Sequence, residues 1–262
     1  MKTNSIISIL FVFFMGWVAS FGMANASVGA KPNDYTKKIM LDRFDKVKLD
    51  LYNAAKATGM DMADLTAIAS IESSLVPTAK SSCSSASGML GHTKGTWVSD
   101  RKAYHSKLGL PKNASVRDPK ASLLIGAESL QDAKRFLVER THLSAEQVRT
   151  GDLYMTHFLG RDMAARVINS NSNMPISKLV RISKGNWSLF VKPNGQVRTA
   201  REFRLFLDQK VKKERSFYAA KIQQFVFNQH GREQLAEAYN GLYSHDMTTA
   251  IANTTKYVGF GS

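Results

Sequence analysis

The chain of 262 residues has one cysteine, Cys83, and only 21 acidic residues against 36 Lys and Arg. One cysteine excludes an intramolecular disulfide and any zinc site built on paired thiolates. Neither a Gly-x-Gly-x-x-Gly turn nor a phosphate loop of P-loop spacing occurs, which argues against nucleotide chemistry. No Asp or Glu stands between Glu72 and Asp100. The shortage of acids leaves a formal net charge of +15. With 44% hydrophobic and 22% charged residues the composition is that of a globular protein, not a disordered one. The length suits one medium domain or a domain plus an appendage.

Charge is also missing from the start of the chain, where Lys2 is the only charged residue before Lys31. An apolar run over residues 6–19 precedes Ala24-Asn25-Ala26, the small-x-small pattern of a signal-peptidase site. The expectation is an exported protein, periplasmic or wall-associated, whose signal peptide spans residues 1–26. An uncleaved anchor is the alternative, because residues 6–23 could just span a bilayer. Outside the cytoplasm the abundant anions are wall polymers and lipid headgroups, and no nucleic-acid motif accompanies the basic charge. Between Arg181 and Arg232 twelve Lys or Arg face three acids. Such a run is a solvated helical face, or it holds the protein on an anionic wall or membrane surface.

Apolar residues recur at helical spacing over residues 35–56 and 62–75, the latter ended by Pro77. A Ser- and Gly-rich stretch, 80–96, has no period and reads as a loop or small hairpin. Helices are expected over 96–108, 119–140 and 151–168, with a break at 169–175. A turn at Lys192-Pro193-Asn194-Gly195 sits between two short apolar runs, and helical spacing resumes at Thr199. The fold class is mainly α, with one small loop or hairpin region. The expected domain covers residues 27–208, and residues 209–262 form a basic helical extension.

One acid is out of place in this pattern. Leu65, Ile68, Ala69 and Glu72 follow the i, i+3, i+4, i+7 rule, so a carboxyl shares a helix face with three apolar side chains. It also stands in the last turn, where the negative end of the helix dipole disfavours another negative charge. Both effects raise its pKa, as general acid catalysis near neutral pH requires. The alternative is a Glu turned to solvent or paired with a base such as Lys80.

The run Ile68-Ala-Ser-Ile-Glu72-Ser73-Ser74-Leu-Val-Pro77-Thr-Ala79, then Ser85-Ala86-Ser87-Gly88-Met89-Leu90, then Gly95-Thr96-Trp97, resembles the soluble lytic transglycosylases of the lysozyme-like superfamily. Asp118-Pro119 through Leu130 looks like the helix that follows the loop in those proteins. Asp152-Leu153-Tyr154-Met-Thr-His157-Phe158-Leu159-Gly160 is similar to the Tyr-Leu-Ala-His-Phe-Leu-Gly block of phage-type members. The likeness spans about residues 45–208. Gly91 stands where the family has Gln. A further Ala238-Tyr239-Asn240-Gly241 lies too far along to supply the cleft tyrosine, a place assigned instead to Tyr154.

The resemblance implies a lysozyme-like fold acting on peptidoglycan glycan strands without a cofactor. Glu72 would be the acid and base. Ser73, Ser87, Gly88, Met89, Tyr154 and His157 would contact substrate. His92 and His157 have no further His or acid at ligand spacing, so no metal site is expected. The acid-free loop suits a transglycosylase, whereas a water-using muramidase of the goose-lysozyme kind would need a second carboxyl from elsewhere, such as Asp100 or Asp118. A non-catalytic wall-binding or virion structural protein is the remaining alternative.

Overall fold

The computed structural model describes residues 34–257 apart from Cys83 and residues 183–185, and for residues 236–257 the backbone alone. The expected signal peptide and the side chain of Tyr239 therefore lie outside what is described. The architecture is mainly helical: α1 Asp34–Thr58, α2 Met62–Ser73, α3 Lys94–Tyr104, α4 Pro119–Arg140, α5 Thr150–Leu159, α6 Arg161–Asn169, α7 Trp187–Phe190 and α8 Ala200–Tyr257. Among the described residues strand pairing is confined to isolated bridges, two in the loop after α2 and two between residues 175 and 199. No described helix is long and apolar enough to cross a membrane.

Local chemistry sets the helix limits. Asp61 caps α2 by accepting from the backbone N–H of Ala63 and Asp64, at 2.8 and 3.0 Å. Thr93 caps α3, so that helix begins two residues earlier than the apolar period suggests. Asp118 caps α4 with Pro119 in the first turn, where its missing N–H costs nothing. The helix expected over 151–168 is two helices. Gly160 adopts φ +83°, ψ 155°, which interrupts the helix, while the apolar spacing continues past it.

Helix α4 is the packing centre, in contact with α1, α3, α5 and α6. Its Gly126 admits Leu90 from the loop: a Cβ there would lie 1.9 Å from Leu90 Cδ1. Helix α2 is buried on every side, from Met62 to Ser73, rather than along one stripe.

The first part of α8 ties together the helices that carry the candidate site. Arg204 clamps the buried Asp152 of α5 through two bonds of 2.9 and 3.0 Å. Gly151 lets the backbones touch, since a Cβ there would come within 2.6 Å of Asp208 N. On the other side Ser70 of α2 donates to Glu214 at 2.8 Å and lies 3.1 Å from the Tyr218 hydroxyl. Arg215 reaches Asp64 and Asp61. Tyr218 has no exposed surface and packs on Phe44, with ring centres 5.6 Å apart.

The extension is expected from residue 209, whereas the described fold divides between a compact unit ending at Ala219 and a second beginning at Ala220. Val211 and Tyr218 are buried, and Glu214 and Arg215 bond to α2 and its cap. Within the second unit Phe227 and Leu235 are exposed.

Replacing a buried aromatic leaves a cavity that the surrounding helices fill only in part. Tyr218→Ala is expected to destabilise the protein by about 3–5 kcal/mol, and Tyr218→Phe by about 1 kcal/mol. Urea unfolding curves of the two variants measure both values.

Candidate active site

The site forms where α2 ends. Glu72 is in its last turn, and the next two residues past Ser73, Ser74 and Leu75, take left-handed φ of 52° and 58°. Such conformations cost non-glycine residues on the order of 1 kcal/mol each. The turn is held by the Ser74 N–H donating to Ser70 O, by Arg43 donating to Ser74 O at 3.3 Å and by burial of Leu75. The chain thereby reverses directly after Glu72.

The side chain of Glu72 is 0% exposed, and neither carboxyl oxygen has a hydrogen-bond partner among the described residues. Burial pushes its pKa well above the ordinary carboxyl value. The Tyr154 hydroxyl and the charge of Lys210 oppose the rise without closing a regular hydrogen bond on either oxygen. Lys80, the alternative partner, is exposed. Tyr154 is itself pushed up, by burial first and then by Glu72.

Tyr154 and His157 lie one turn apart on α5, so both reach the same place. His157 Nε2 is 3.9 Å from Glu72 Oε2, too long for a hydrogen bond. Burial lowers the pKa of His157, against a backbone hydrogen bond at Leu90. Its ring meets His92 edge-on at 5.8 Å, and His92 meets Trp97 in the same way at 5.5 Å. His92 is pushed down to about 3, first by burial and then by His157. Burial thus favours the uncharged form of both imidazoles and of the acid beside them.

The remaining residues expected to contact substrate lie at the end of α2 and in the loop after it. Ser73 is buried, and its hydroxyl donates to Ala69 O at 2.9 Å. Ser87 bridges Lys80 and His92 through its backbone. Gly88 takes φ +81°, and a Cβ there would lie 2.2 Å from Val116 O, so only glycine fits. Met89 is fully buried and its N–H donates to Ser122 Oγ at 3.1 Å. Thus Tyr154 and His157 join Glu72, while Ser73, Gly88 and Met89 shape the walls.

Beside them opens a cavity of about 380 Å³ between α3, α4 and the ends of α5 and α6. His157, His92, Gly91 and Asp100 line it, with Ser129 and Arg161 on its wall. Two of the lining side chains carry a buried atom with no described partner, His92 Nδ1 and Asp100 Oδ2. Burial raises the pKa of Asp100, and Asp132 adds to the rise, against Ser129 and Arg161. Arg161 donates to Asp132 at 2.9 Å, and together with Tyr104 and Arg135 it holds Asp132 down to about 2 despite burial. Asp118, the other candidate second acid, is committed to its capping bond with Ala121 N–H at 3.2 Å. Among the described residues no group of three His, Cys, Asp or Glu could hold a metal ion.

The sequence reading passed over His92 and Lys210 as parts of the site. His92 carried one signal, a polar ring directly after Gly91 within an otherwise apolar turn. Lys210 carried none, since it stands far along the chain in a basic run.

A carboxyl whose folded pKa is raised binds its proton more tightly in the native state than in the unfolded one. The stability linked to Glu72 is therefore complete below its unfolded pKa, near 4.5, and is lost as pH rises toward the folded value. The Tm of Glu72→Gln relative to the unsubstituted protein should thus increase from pH 4 to pH 8. Thermal melts at the two pH values read this difference directly, and a difference that does not change with pH would contradict the raised pKa.

Residues 51–145 match the family model of the transglycosylase SLT domain. The match takes in Glu72, the glycine-rich turn, α3 and α4, and stops before α5. With the helical architecture and an acid at the end of a buried helix, this stretch of the chain is an SLT domain of the lysozyme-like superfamily.

Proposed function

We propose that the protein is a lytic transglycosylase that cuts the β-1,4 bond between N-acetylmuramic acid and N-acetylglucosamine in peptidoglycan. An SLT domain supports a peptidoglycan-acting function of this family. The observation that carries the specific reading is Glu72, an unpartnered carboxyl at zero exposure whose neutral form is favoured. Glu72 donates its proton to the glycosidic oxygen as the C1–O bond breaks and that oxygen takes the bonding pair. The resulting carboxylate then accepts the proton of the muramic C6 hydroxyl, whose oxygen bonds to C1. Glu72 ends protonated, the product carries a 1,6-anhydro ring, and no water is consumed.

A water-using reaction asks for a second carboxylate as nucleophile or base. Asp118 is engaged as a cap, and burial raises the pKa of Asp100, which disfavours its anionic form. Both observations favour the anhydro product. A groove with no task for an acid gains nothing from a buried, unpaired Glu, which weighs against a purely structural role.

In the same reading the enzyme works outside the cytoplasm after cleavage behind Ala26, and the basic run at the start of the C-terminal part holds it to anionic wall or membrane surfaces. Co-sedimentation with peptidoglycan at low salt, compared between the protein and the double variant Lys212→Gln, Lys213→Gln at two exposed positions, tests the second point. The variant should pellet less completely.

Mass spectrometry of fragments released from purified peptidoglycan tests the reaction. Anhydromuramic ends are expected, and Glu72→Gln should release them about 10²–10⁴-fold more slowly. Reducing ends would instead mean a muramidase, and no fragments at all a binding role.

A further inference from the structure

An acid that nothing can reach cannot protonate a polymer. Glu72 has no exposed side-chain surface and does not border the cavity beside it. His157 does both things that Glu72 does not. It lines the cavity with its side chain 15% exposed, and its Nε2 lies 3.9 Å from Glu72 Oε2.

We propose that His157 is a positioning residue that shutters Glu72: its imidazole closes the carboxyl off from the cavity, and a glycosidic oxygen in the cavity meets Glu72 once the ring has swung aside. The identity of the visiting group rests on the glycan-cleaving function proposed above, whereas the shutter rests on the geometry alone.

The ring makes no hydrogen bond to Glu72 at 3.9 Å; it meets His92 edge-on and has a backbone hydrogen bond at Leu90. The cavity supplies space for it to turn into. An open form populated at roughly 0.1–10% is the ordinary range for such a minor state. The groups facing Glu72 are Tyr154 and His157 from α5 and Lys210 from α8, and His92 faces His157 from the loop. Of these, His157 is the one that touches Glu72 and also borders the cavity.

The arrangement suits a reaction that omits water. With the ring closed, the carboxyl stays dry, which favours its neutral form. With the ring displaced by a bound glycan, the polymer rather than solvent occupies the space beside the acid. A shutter that opens onto substrate thus limits hydrolysis without a second carboxylate.

Chemical labelling tests this on the full chain without any glycan. A water-soluble carbodiimide with taurine converts accessible, protonated carboxyls to amides, and peptide mass spectrometry reads the extent at Glu72. His157→Ala and His157→Ser should label Glu72 about ten- to a thousandfold faster than the unsubstituted protein, the inverse of a roughly 0.1–10% open population. His157→Phe keeps a ring over the carboxyl and should label as slowly as the unsubstituted protein. Should the alanine variant fail to fold, the serine variant carries the comparison.

Equal labelling rates in all four proteins, or fast labelling of the phenylalanine variant, would overturn the shutter. In the two opened variants the alkaline limb of the pH–activity profile should also move to lower pH, because water admitted to Glu72 lowers its pKa. If the unsubstituted protein released no glycan fragments, the proposed reaction would fail while the labelling still decided the shutter.

Discussion

A carboxyl group without a hydrogen-bond partner, enclosed by protein on every side, is costly as an anion and tolerable as a neutral acid. Removing an ion from water costs several kcal/mol even after a protein relaxes around it. Burial therefore shifts Glu72 toward the form that keeps its proton. Tyr154 and His157 adjoin it without bonding it in regular geometry, and Lys210 acts from α8 as a charge. The arrangement of α2, α5 and α8 can be read as an enclosure for one proton. Each member either excludes water or limits how far the pKa rises.

The enclosure is assembled from separate parts of the chain. The SLT stretch, residues 51–145, supplies the acid, the glycine-rich turn and the central helix α4. Helices α5 and α8 follow it and bring Tyr154, His157 and Lys210. The first turns of α8 are pinned to α5 by the Arg204–Asp152 clamp and to α2 by the Ser70, Glu214 and Tyr218 cluster. A shift of α8 would thus change the distance between the acid and its neighbours, although no residue of α8 lines the cavity.

Much of this was legible beforehand, and the parts that were not have physical causes. Glu72 stood out because three apolar side chains share its helix face, a local pattern that any reader of the sequence can test. Asp118-Pro119 and Met62–Ser73 gave nearly correct helix limits, since caps and prolines act on their immediate neighbours. Spacing could not separate α5 from α6, because Gly160 breaks the helix by its dihedral angles while the apolar period runs on. Nor could it reveal that α2 is buried all round, or that residues 209–219 belong to the domain. Those are tertiary facts, fixed by partners more than a hundred residues away, such as Glu214 for Ser70. The motif names Ser73 and Met89 as groove contacts, and what spacing does not reveal is that the Ser73 hydroxyl donates to Ala69 O and the Met89 N–H to Ser122 Oγ.

The central claim is that Glu72 keeps its proton near neutral pH, and infrared difference spectroscopy of the protein against Glu72→Gln reads that proton itself. The account predicts a protonated-carboxyl C=O band at pH 7 that is present in the protein, absent from the variant and replaced by a carboxylate band only at higher pH. A carboxylate band from Glu72 already at pH 5 would contradict it.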